Sequence, residues 1–163
     1  MSIMIAVFLL VACSKSEEDI ISETLAEVKD VFQQEELIDK NHEQDNFSYY
    51  LPEQLQVIDE DEHNIVLEGN DNVYVIFINQ LEQPTSETMF NLVENDDALL
   101  HEGFEDDDMF GYIHVDSESE EEEHRVEIGV GGVKTTTKLP LDKLPSEAKQ
   151  LMKIVKSIVE SIS

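Results

Sequence analysis

Tryptophan is absent from this chain, cysteine occurs once, at Cys13, and ten lysines and arginines stand against 38 acids, a formal net charge of -28. A lone thiol excludes an intramolecular disulfide, so stability has to come from packing even where the compartment permits disulfides. The scarcity of cations excludes recognition of nucleic acid through its phosphates, which needs Lys and Arg to displace counterions. It also sets the chain against anionic lipid, over a Debye length of about 8 Å. The uncharged apolar run Ile3 to Leu10 is too short for a transmembrane helix, since about 30 Å of hydrocarbon takes roughly 20 residues to cross.

What is present points to a folded domain. Hydrophobic residues make up 40% of the chain and fall in alternating and helical patterns, which argues globular despite a charge that by itself suggests disorder. The length suits one domain with a real core and is too short for a two-lobed solute-binding protein. Charge is divided unevenly: residues 1–133 hold 35 of the 38 acids, while residues 134–163 hold six of the ten cations, all lysines.

Taken in order, Ile21, Leu25, Val28 and Phe32 recur at helical spacing and predict an amphipathic helix from Glu18 to about Gln34. The polar run Asp39 to Asn46 reads as a loop. Leu55–Asp59, Asn64–Glu68 and Val73–Asn79 follow as three strands of a meander, separated by acidic and Gly-Asn-Asp-Asn turn chemistry. Val73 to Ile78 is apolar on both faces, which predicts a sheet covered on both sides by helices. Pro84-Thr85-Ser86-Glu87 has capping chemistry and predicts a helix to about Asn95. Met109–Asp116 and Glu123–Val130 are expected to form a hairpin, with a shorter strand over Val133–Lys138. From Pro145 the residues Ala148, Leu151, Met152, Val155, Ile158, Val159 and Ile162 trace the strongest helical stripe in the chain, flanked by a ridge of Lys149, Lys153 and Lys156. The fold class is α+β: an antiparallel β-sheet covered by helices on both faces.

Two resemblances follow from these residues. Leu10-Val11-Ala12-Cys13, at the end of the apolar run, resembles the lipobox of bacterial lipoproteins. That resemblance implies cleavage before Cys13 and a diacylglyceryl group on its sulfur, the chain then being held at the extracytoplasmic face of the cell membrane by this anchor. Residues 1–12 would be signal peptide, 13–17 a lipidated tether and 18–163 a single domain. A run of this length suits a signal core, and acyl chains contribute about 0.8 kcal/mol per buried CH₂. No Lys or Arg precedes the run, so a start upstream of Met1 is expected. The order of elements, with Phe47-Ser48-Tyr49-Tyr50-Leu51-Pro52 entering the sheet and Ser157-Ile158 near the end, resembles the PsbP-like α/β/α sandwiches, which implies a mostly non-enzymatic role. Charge of this sign also suits DNA mimicry, but an anchored chain outside the cytoplasm rarely meets DNA.

Chemistry is sparse. No Gly-x-Ser-x-Gly elbow exists, Gly129-x-Gly131-Gly132 lacks the following helix of a phosphate cradle, and no cofactor is implied. Asp106-x-Asp108 with Gly111 opens like a calcium loop, but Phe110 and Ser117 occupy two ligand positions. Glu120 to Glu123 form an acidic run that reads as a solvated hairpin tip. The five histidines lack the partners of a zinc site and read as surface residues, with His114 and His124 placed to approach across the hairpin. Tyr49, Tyr50, Phe110 and Tyr112 form either core or an aromatic patch, and two covered faces favour core. The function expected is a non-catalytic accessory or binding module contacting a protein of the cell envelope; the alternative is a Ca²⁺-responsive acidic module using Asp106, Asp108 and Glu120 to Glu123.

Overall fold

The computed structural model describes residues 15–93 and 97–162, so the lipobox, Cys13 and the expected signal segment lie outside the described residues. Ser16 opens helix α1 (Glu17–Gln33) with a capping box. Its Oγ accepts the Asp19 N–H at 3.2 Å while the Asp19 carboxylate accepts the Ser16 N–H at 3.4 Å, satisfying donors that the helix leaves without partners. The predicted stripe is found, with Val28 and Phe32 buried and Ile21 and Leu25 partly so; Thr24 and Val31 are buried beside it.

A small ladder, β1 (His42–Glu43) with β2 (Ser48–Tyr49), precedes the main sheet. Strands β3 (Gln56–Glu60), β4 (Asn64–Gly69) and β5 (Asn72–Ile78) form the expected meander. After a single helical turn, α2 (Thr88–Asn91), come β6 (Ala98–Glu105), β7 (Phe110–Glu120), β8 (Glu123–Val130) and β9 (Val133–Pro140). All seven strands of the sheet pair antiparallel, in the order β3-β4-β5-β9-β8-β7-β6. Two meanders are thus joined where β5 meets β9. The last helix, α3 (Leu144–Ile162), buries the stripe Ala148, Leu151, Met152, Val155, Ile158 and Val159.

Both long helices pack on the same face of the sheet. α1 lies against α3, and the two share one core with Ile65, Leu67, Ile76, Ile113, Val126 and Ile128 from alternate strand positions. The expected ridge of lysines on α3 fastens these layers. Lys149 bonds Glu27 of α1 at 2.6 Å, and Lys153 stands 5.8 Å over the Tyr50 ring. Lys156 is buried and donates to the carbonyl oxygens of Val31, Phe32 and Gln34 at 3.2, 2.9 and 2.6 Å. It therefore caps the C-terminus of α1, where the helix dipole is negative and the last carbonyls lack partners. Glu160, one turn on, offsets its charge at 3.8 Å, and burial pulls the ammonium pKa below its ordinary value.

The second face differs from the expectation of a helical cover. On β5 the side chains of Val73, Val75 and Phe77 remain 50, 45 and 40% exposed, while Tyr74, Ile76 and Ile78 are fully buried. The apolar run is thus a half-buried strand whose outward side chains stay apolar. Among the described residues no long helix lies over them: the connection after β5 makes one helical turn, to Asn91, where the sequence predicts a helix to about Asn95, itself outside the described residues. That connection supplies a local cover over β7: Met89 packs with Phe110 and Tyr112, joined by Phe90 and Val93.

Candidate functional site

The second face carries the chemistry, because the pleat sends there every other residue of strands whose remaining positions are committed to the helical core. Outward from β7 point Tyr112, His114 and Asp116; from β8, Arg125, Glu127 and Gly129; from β9, Lys134. The cross-strand pairs His101–His114, His114–Glu127, Tyr112–Gly129 and Phe77–Lys134 place them side by side.

Glu127 is the centre of this arrangement. Its carboxylate is 1% exposed, and it is held by Arg125 on one oxygen and by Lys134 at 3.1 Å on the other. A buried charge costs several kcal/mol unless paired in this way. Both cations reach outward, with side chains 50 and 30% exposed. Beside them Tyr112 lies across Gly129 so closely that a Cβ there would stand 2.3 Å from its ring. Its hydroxyl is buried without a hydrogen-bond partner, and burial, with the nearby Glu127 charge, pushes its pKa far above the ordinary tyrosine value.

A second chain of polar contacts runs along β6 and β7. His101 Nδ1 and His114 Nδ1 are 3.1 Å apart, and His114 Nε2 reaches the Asp116 carboxylate at 2.6 Å. The carboxylate accepts a hydrogen bond from His114 Nε2–H, which leaves the neutral ring's Nδ1 to accept from His101 Nδ1–H. Phe90 stacks on His101 with ring centres 4.3 Å apart. Desolvation, followed by the neighbouring His114, lowers the His101 pKa.

Between the Met89–Val93 segment and strands β5, β8 and β9 opens a cleft of about 670 Å³. Phe77, Met89, Leu92 and Ala98 make its apolar side, Arg125, Lys134 and Glu127 its floor, and Asp97, Asp116 and Glu118 its acidic rim. Charged and polar residues outnumber apolar ones in its lining, so it is a polar cleft with an apolar side rather than the mostly apolar pocket of a small-molecule site.

The residues singled out in the sequence fall elsewhere or in other roles. Asp106 closes the β6–β7 turn, its Oδ1 accepting the N–H groups of Asp108 and Met109 at 2.9 and 2.8 Å. The acidic run continues β7 and β8 to a two-residue turn at Glu121–Glu122, both with positive φ, and the side chain of Glu120 is not described. Among the described residues no three His, Cys, Asp or Glu groups come together to hold a metal. Tyr49, Phe110 and Tyr112 are buried and Tyr50 partly so. His114 and His124 are buried rather than on the surface. They do not meet, because the register sets His114 opposite Glu127 and alternation sends His124 to the other face of the sheet with Val126 and Ile128: His124 Nδ1 takes the Asp116 backbone carbonyl at 2.9 Å, and His114 meets His101 instead.

The Arg125–Glu127–Lys134 cluster was foreshadowed only by alternation, since Val126, Ile128 and Val130 facing one way oblige Arg125 and Glu127 to face the other. His101 carries no such signal, because the bulge between Ala98 and Leu100 breaks the period that would mark β6. Fold and site together define a mixed α+β chain with a seven-stranded antiparallel sheet, two long helices on one face and a charged, partly apolar cleft on the other. Compared with known proteins, the chain matches no protein-family model and no curated protein. Among the described residues no helix is long and apolar enough to cross a membrane.

Proposed function

We propose that the chain is a membrane-anchored, extracytoplasmic lipoprotein that works without catalysis, as an accessory or binding module for a protein of the cell envelope. The observation that carries this reading is Leu10-Val11-Ala12-Cys13 behind an uncharged apolar run. Its spacing from the fold adds support: Glu17, the first residue of α1, follows Cys13 by four positions, a reach of at most about 14 Å in extended chain. An acylated Cys13 would hold the domain against the bilayer, too close to act on distant targets and well placed for a neighbour in the envelope. The exposed apolar residues beside the cleft favour contact over chemistry.

Fractionation tests the anchor. The native chain is expected in the membrane fraction, and Cys13→Ala, or inhibition of lipoprotein signal peptidase with globomycin, is expected to mislocalise it or leave it as precursor. A Cys13→Ala chain that partitions with membranes as the native one does removes the reading.

A further inference from the structure

The cleft and the β5 strip next to it also indicate what kind of partner segment fits. We propose that this face takes a basic, apolar-anchored extended segment of a partner protein, with an apolar side chain seated against Phe77, Met89 and Leu92 and Lys or Arg side chains on the rim formed by Asp97, Asp116 and Glu118. This inference rests on reading the chain as a protein-binding module.

Three observations carry it. Phe77, 40% exposed, and Leu92, 78% exposed, both line this cleft, and exposed apolar surface gathered at one place on a highly charged chain marks an interaction site. Phe77 is also the end of the strip Val73–Val75–Phe77, whose side chains repeat every second residue, the spacing of an extended partner strand. The cleft's charge then selects the partner: Arg125 and Lys134 are countered by Asp97, Asp116, Glu118 and Glu127, leaving acid in excess, within a chain of net charge -28. Such a field draws cations in and turns anions away. A second copy of this chain is disfavoured as occupant by the same field, and its α3 lysines already serve α1 and Tyr50.

The test uses the full chain in a neutral detergent and a fluorescent pentapeptide, Lys-Phe-Lys-Val-Lys, with Lys-Ser-Lys-Ser-Lys as the control of equal charge; a micelle-only blank corrects for partitioning. Anisotropy is expected to show the apolar peptide binding at least tenfold more tightly than the control and weakening as salt is raised from 20 to 300 mM. Phe77→Ser with Leu92→Ser should reduce that binding at least tenfold, and Leu92→Ser alone, at a side chain 78% exposed, should weaken it with the melting temperature unchanged. Asp97→Asn with Glu118→Gln should reduce it severalfold. Equal binding of the two peptides, indifference to the Phe77 and Leu92 substitutions, or self-association lost on those substitutions would overturn the inference. Cys13→Ala fractionation is independent of this result, so loss of the anchor and loss of the partner chemistry are told apart.

Discussion

Lys156 shows how one side chain decides whether two layers stay together. Its ammonium satisfies three carbonyls at the end of α1 and is countered by Glu160 inside the fold. Lys156→Met keeps the apolar stem, but it strands those carbonyls and leaves Glu160 with Lys40 at 3.7 Å as its remaining ion pair. Removing one partner of a buried pair costs about 3–5 kcal/mol, so a melting temperature lower by about 6–20 °C is expected by calorimetry. Gly129→Ala puts a methyl group into the Tyr112 ring, and overpacking of this kind costs about 1–3 kcal/mol. His101 sets a pH dependence. Its pKa is lowered in the fold, so the folded state binds fewer protons than the unfolded one, and its contribution is complete above about pH 6.5 and is lost as pH falls through the lowered value. The charged groups near the His101–His114 pair are Asp116, Glu102 and Glu127. Urea midpoints measured from pH 7.5 to 5.5 should fall less steeply in His101→Phe than in the native chain.

At the scale of elements, the β7–β8 hairpin is closed by Glu121 and Glu122 at φ 53 and 66°, a left-handed conformation that costs non-glycine residues roughly 1 kcal/mol each. The β4–β5 turn uses the same conformation with Asn70 and Asp71, which tolerate it. Replacing Glu121-Glu122 by Asn-Gly is therefore expected to stabilise the fold by about 1–2 kcal/mol, read as a higher denaturant midpoint with unchanged slope. The same elements show what was legible in the chain beforehand. α1, α3 and the β3–β5 meander announce themselves because each keeps one period over several turns or pairs. β6 does not: its bulge between Ala98 and Leu100 breaks the period of two, and His101 and Gly103 interrupt its apolar content. The exposure of the second face is not legible in the sequence, for a physical reason. Val73, Val75 and Phe77 look like buried residues by type, yet apolar side chains on an uncovered strand are also what a docking face requires. The cleft is not legible in the sequence because its groups come from five strands and a connection distant in sequence.

For the whole molecule, self-repulsion among 38 acids opposes the compact state, and the ion pairs that offset it are mostly partly exposed. Salt screens repulsion over about 10 Å at 0.1 M, so the melting temperature is expected to rise by several degrees between 20 and 500 mM NaCl. Cooperative contributions from ion pairs would make it fall instead. The same charge bears on the proposed anchor: an untethered chain of this charge would be driven away from an anionic bilayer, and the proposed acyl group on Cys13 would hold it beside the surface. Mass spectrometry of the amino-terminal peptide from the native, membrane-extracted protein tests that account most directly. The account predicts a peptide that begins at Cys13 and carries a diacylglyceryl mass on its sulfur; a peptide running unbroken through Ala12-Cys13 with a free thiol would contradict it.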